Sequence, residues 1–153
     1  MKNLKSMKKG FTLTETLIVL GIAVIFAGAI IAIYLMIRGQ ATASAEADKM
    51  RSFVLSIENY AQDAGVYPAI TCDSTTWNTD NTCLKMKAYV RDLANQGYVY
   101  SCTAGGNPVV TSPTLDADLA TQVANKVDKL QNWTCTVNTN NKVECTNNVY
   151  TCS

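Results

Sequence analysis

Lys8-Lys9-Gly10-Phe11-Thr12-Leu13-Thr14-Glu15 places one carboxylate at the start of an uncharged run, Thr16 to Ile37, that ends only at Arg38. At ~1.5 Å rise per residue the run makes a helix of roughly 33 Å, long enough to cross the hydrocarbon core of a bilayer. An acid deep in hydrocarbon costs about 2.5–3.5 kcal/mol, so Glu15 is expected to have a function. Lys2, Lys5, Lys8 and Lys9 precede the run and only Arg38 closely follows it. The positive-inside rule therefore predicts a cytoplasmic amino terminus and export of everything beyond Arg38. The run is too long for an ordinary secretory signal, whose apolar stretch is roughly 7–15 residues. An uncleaved single-pass anchor is the plainer alternative.

The basic segment Met1 to Gly10, the Gly10-Phe11 junction, Glu15 and the apolar run behind them resemble the amino-terminal segment of type IV pilins and pseudopilins. That resemblance implies a leader, 1–10, cut between Gly10 and Phe11 by a membrane prepilin peptidase. It implies methylation of the new amino group of Phe11. It also implies a transmembrane helix over 11–38 that becomes the core of a helical homo-polymer, built by pilus assembly machinery in the inner membrane. Ala23, Ala27, Gly28 and Ala32 would let neighbouring helices approach closely, and Glu15 is expected to pair with the Phe11 amine of an adjacent copy. Many relatives carry a helix-breaking proline where this chain has Ala32, so any loosening in a filament would fall near Gly28, and an unbroken helix is equally consistent with the sequence.

The function so implied is a structural subunit, major or minor, of an extracellular type IV pilus. Adhesion, motility and DNA uptake all stay open. A pseudopilin of a type II secretion system and a membrane-tethered binding domain are the alternatives. Before assembly the precursor would lie in the cytoplasmic membrane with lipid as its partner.

Six cysteines, at 72, 83, 102, 135, 145 and 152, all lie on the exported side. An even count in a small exported region reads as a disulfide framework. Cys72 and Cys83 bracket a polar loop and suit a local bridge. Trp133 to Val137 and Lys142 to Thr146 read as strands around Asn138-Thr139-Asn140-Asn141. A turn centred on Asn140 sets Cys135 opposite Cys145 and Val137 opposite Val143, leaving Cys102 for Cys152. The competing scheme joins Cys102 to Cys135 and Cys145 to Cys152.

Beyond the membrane run, Ala41 to Ala64 holds no Pro or Gly and keeps an apolar stripe at Ala43, Ala47, Met50, Phe53, Val54, Ile57, Tyr60 and Ala61. That is the spacing of one helix face, so 39–64 is predicted to continue the helix amphipathically, with Gly39 a soft point. Gly65 supplies a left-handed cap and Pro68 a stop. Gly65-Val66-Tyr67-Pro68 also resembles the Gly-x-Tyr-Pro sequence found at this place in many pilins. Residues 65–153 are then a disulfide-stabilised head, and the whole chain is α+β with a small antiparallel sheet.

Within the head, Leu84 to Asn95 is predicted as a short helix ended by Gly97, with Leu84, Tyr89, Val90 and Leu93 buried. Tyr98 to Cys102 is a strand, and Val109 and Val110 pair briefly. Ser112 or Thr114 caps a second helix with Leu115, Leu119, Val123, Val127 and Leu130 inward.

The formal charge is +1, but four of the 13 basic residues lie in 1–10, leaving nine against 12 acidic ones. A mildly acidic exported part has no nucleic-acid footprint. With no His, no Cys-x-x-Cys and no recognisable nucleophile setting, neither an enzyme, a cofactor nor a metal is expected. Asp73, Asn78, Asp80 and Asn81 offer oxygen ligands in one loop, but their spacing fits no defined calcium site.

Overall fold

The computed structural model describes residues 12–128 and 130–153; the leader, Gly10 and Phe11 lie outside the described residues. The chain divides into two units at Arg38 and Gly39. The first helix, α1 (Leu13–Ala64), includes Gly21, Gly28 and Gly39 as ordinary helical residues. In the first unit every described residue is exposed, and α1 there is long and apolar enough to cross a membrane.

The head is built on the other part of α1. Its buried residues are the predicted stripe, Ala43, Ala47, Met50, Phe53, Val54, Ile57, Tyr60 and Ala61. Three- and four-residue steps keep these on one side, where they cover a five-stranded antiparallel sheet of order β1-β2-β3-β5-β4. The strands are β1 (Thr71–Cys72), β2 (Val99–Ser101), β3 (Val109–Thr111), β4 (Trp133–Val137) and β5 (Val143–Asn147). With α2 (Asn81–Val90) and α3 (Ala117–Val127), the fold is α+β.

Gly65 takes φ +76°, a left-handed turn that ends α1, as its position predicted. Aromatic packing then centres the core: Phe53 lies edge-on to Trp77 with centroids 6.2 Å apart and 5.2 Å from the ring of Tyr98. Trp77 Nε1 donates to the Tyr98 carbonyl at 3.0 Å, so its one polar atom is satisfied inside. Bridges join Cys72 to Cys83, Cys102 to Cys152 and Cys135 to Cys145. These are the pairs of the first scheme, and the register Cys135↔Cys145 and Val137↔Val143 is the one the Asn140 turn implied. Asn138 Oδ1 holds that turn by accepting from Asn140 N and Lys142 N.

Two local expectations are corrected, and a third is extended. Helix α2 begins at Asn81, where Asp80 accepts from the amides of Thr82 and Cys83. Its buried face is Cys83, Met86 and Val90, while Leu84 is exposed, and Arg91–Gln96 tightens into a 3-10 turn before Gly97. The bridge to Cys72 rotates Cys83 inward, so Leu84 must face out.

Val109 and Val110 do pair, within the three-residue β3, which takes the central place in the sheet between β2 and β5. Helix α3 starts after Asp116, not after a Ser112 or Thr114 cap. Ser112 is instead buried, its Oγ accepting from Val143 N at 2.9 Å and donating to the Pro113 carbonyl at 2.8 Å. Leu115, Leu119 and Leu130 are partly buried around Val123 and Val127 as expected.

Ser112→Ala should lower unfolding free energy by about 1–3 kcal/mol, because it strands the buried amide of Val143. Thr114→Ala, at an exposed side chain, should stay within about 0.5 kcal/mol of the parent in the same urea titration. The reverse order would restore the Thr114 cap. Burial also pushes up the phenols of Tyr98 and Tyr100, and that of Tyr67 to about 12. Their contribution to stability is present below about pH 10 and is lost as pH rises through the folded values. Phenolate absorbance should show a late-titrating class that appears together with unfolding; uniform titration of all seven tyrosines near pH 10 would contradict this packing.

Candidate functional site

Helix α1 opens on Thr12, and its first turn is closed by reciprocal bonds between Thr12 and Glu15. Thr12 Oγ1 accepts from the Glu15 amide at 3.3 Å. In return Glu15 Oε2 accepts from Thr12 N and from Thr12 Oγ1, both at 3.4 Å. Thr16 completes the turn, its amide donating to the Thr12 carbonyl at 3.1 Å. Thr12-Leu13-Thr14-Glu15 is thus a capping box, in which two of the orphan amides at a helix start are satisfied by each other's side chains. The carboxylate also sits at the positive end of the helix dipole. Reading Glu15 only as a charge facing hydrocarbon missed this second role, although Thr-x-x-Glu before an apolar run signals it.

Only one carboxylate oxygen is used. Among the described residues Oε1 of Glu15 has no hydrogen-bond partner and Glu15 has no ion pair. The side chain is therefore fixed in direction by its cap, with one oxygen left for a group outside the described chain. Phe11 and Gly10, the expected processing and pairing positions, lie outside the described residues, so their geometry relative to Glu15 is not defined.

Behind the cap, large apolar side chains from Leu13 to Ile37 are exposed, among them Leu17, Ile25, Phe26, Ile30 and Leu35. A Cβ added at Gly21 or Gly28 meets nothing within 4 Å, so nothing inside the chain demands glycine there. Small residues at 21, 23, 27, 28 and 32 instead leave shallow places on an unpartnered surface.

A capped apolar helix with an acid in its first turn, directly behind a short basic segment, is what one family describes. Residues 5–31 match the prokaryotic N-terminal methylation motif. No curated protein and no solved structure matches the chain. The motif is the class III signal of type IV pilins, and it supports a precursor of the type IV pilin-like or pseudopilin kind. It also indicates a structural protein, and together with the apolar helix it fits a membrane-anchored precursor.

In the head's polar loop, three of the four candidate oxygen ligands are engaged in local hydrogen bonds. Asp73 Oδ1 is committed to the amides of Thr75 and Thr76 and to their hydroxyls, which hold its carboxyl down at about 2. Asp80 caps α2, and Asn78 Oδ1 accepts from Lys87 Nζ.

Thr12→Val should remove the cap of the methylation-motif helix and cost about 1 kcal/mol, within the roughly 0.5–2 kcal/mol range of such losses. The Glu15 amide should then exchange with solvent about fivefold faster in detergent-solubilised full-length protein. Unchanged protection would mean that the Thr12–Glu15 bonds contribute nothing.

Proposed function

We propose that the chain is a structural subunit of an extracellular type IV pilus, assembled through α1 after the leader is cut between Gly10 and Phe11. The observation that carries the reading is the methylation motif set directly on an apolar helix none of whose side chains from Leu13 to Ile37 is covered by its own chain. Lipid covers that surface in the precursor, and other copies of the helix cover it in the fibre. Two unlike surfaces that meet without closing a ring extend as a filament. Three disulfides in a small head suit a fibre exposed outside the cell.

Glu15 is assigned the step from lipid to filament. Its Oε1 is unpartnered among the described residues, and the cap holds the carboxylate at the helix tip. In the fibre that oxygen receives the positive amine of Phe11 from a neighbouring copy, so that two charges unfavourable in hydrocarbon neutralise each other. Removing one member of a buried pair commonly costs about 3–5 kcal/mol.

Fibres sheared from cells should yield abundant subunit beginning at N-methylated Phe11 by mass spectrometry. Glu15→Ala should abolish incorporation while leaving membrane-anchored precursor at its normal level. Recovery only from the cell envelope would contradict the pilus reading and point to a secretion-system pseudopilin, and normal fibres from Glu15→Ala would remove the charge pairing.

A further inference from the structure

Among the described residues the head exposes few large apolar side chains: Leu55, Val66, Leu84, Val149 and Tyr150. Three of these five share one place. Leu55, Val66 and Tyr150 all line one cleft of about 750 Å³ between the end of α1, the turn before β4 and the last residues of the chain. Its wall is built rather than incidental. Asn147, wholly buried, accepts from the amides of Val149 and Tyr150 and so fixes the bend that seats Tyr150 5.6 Å from the ring of Tyr67.

Glu58 is the charged side chain among the described residues lining this cleft. Its Oε1 accepts from Trp133 Nε1 at 2.7 Å, and no cation among the described residues pairs with it. A mixed concavity, with exposed Leu55, Val66 and Tyr150 around one carboxylate that lacks an ion pair among the described residues, fits a projecting group that is apolar with an adjacent positive charge.

The head supplies such a group on a different element. Lys85, Arg91 and Lys142 are the head's basic residues whose side chains make no hydrogen bond or ion pair among those described. Arg91 lines a second depression together with Asp48 and Asp92. Lys142 lies in the β4–β5 turn, next to buried Val143. Only Lys85 stands beside an exposed large apolar side chain, Leu84, on the outer face of α2.

We propose that the Glu58 cleft of one copy receives the Leu84–Lys85 face of α2 from a second copy, Leu84 against Tyr150 and Val66 and the Lys85 ammonium on Glu58. The two surfaces share no residue and no element, so the contact is of the heterologous kind, which extends a polymer when its rotation does not close a ring. The inference rests on the polymer reading above and adds a head-to-head contact to the helix-to-helix one.

The test uses full-length protein in fibres grown from a mixture of unlabelled and ¹⁵N-labelled copies. A carbodiimide activates a carboxylate and leaves as its urea, so an amide forms only where an amine already touches that acid. The expected product is a Glu58–Lys85 cross-linked peptide with one light and one heavy half. Lys85→Glu should erase that peptide and lower fibre yield about tenfold, the factor that corresponds to about 1.4 kcal/mol. Glu58→Gln, which keeps an oxygen for Trp133, should keep the fold and lose the link. Fibres in which Glu58 couples only to another amine, or only within one copy, overturn this contact and leave the pilus reading standing. Failure of the native chain to polymerise at all overturns both.

Discussion

Everything in this chain depends on one unsatisfied surface, the apolar side chains of α1 from Leu13 to Ile37 that its own fold leaves uncovered. Burying a Leu, Ile, Val, Phe or Met side chain is worth about 1.5–3 kcal/mol, so the segment as a whole represents tens of kcal/mol that water cannot supply. Lipid or other protein must provide the cover. Between those two the apolar term nearly cancels, because lipid tails are as apolar as leucine. In the proposed pilus, the choice between membrane and filament would then fall to much smaller terms: helix packing at the small residues, the charge on Glu15 and contacts between heads. On that proposal, a single carboxylate worth a few kcal/mol would decide where a far larger hydrophobic surface is covered.

The same helix solves a different problem in the head. Its stripe from Ala43 to Ala61 forms one wall of a small core around Phe53, Trp77 and Tyr98. A head of this size buries a modest fraction of its surface, and each covalent bridge can add about 2–4 kcal/mol. All six bridged cysteines are buried in the core, and two of the bridges fasten loop segments to it. Cys72–Cys83 closes the polar loop that leads into α2, and Cys102–Cys152 fastens the last residues, which are also held by backbone bonds from Gly105 N to the Cys152 carbonyl and from Cys152 N to the Gly106 carbonyl. Trp133 Nε1 on Glu58 and the Arg51 guanidinium on the Lys126 carbonyl tie β4 and α3 to the helix.

The features readable in advance were those set by periodicity. All eight stripe residues of α1 are buried, Gly65 ends the helix, and the β4–β5 register follows from the position of the Asn140 turn. What escaped was set by competition between local partners. Ser112 has the chemistry of a cap, but it serves Val143 across the sheet because a buried strand amide needs it more than an exposed helix end does. Leu84 has the chemistry of a core residue, but its neighbour Cys83 is pulled inward by a covalent bond. At the candidate site the sequence pointed to Glu15 but not to Thr12, whose hydroxyl orients it, because one residue type was read for its charge and not for its hydrogen bonds.

The central claim is that Glu15 of one copy meets the amine of Phe11 of the next. Dipolar recoupling by solid-state NMR tests it directly in fibres mixed from two populations, one carrying ¹³C in the Glu15 carboxylate and the other ¹⁵N at the Phe11 amine. The account predicts strong dephasing that corresponds to a separation of about 4 Å, the reach of an ion pair. Well-ordered fibres in which the two labels show no coupling would contradict it.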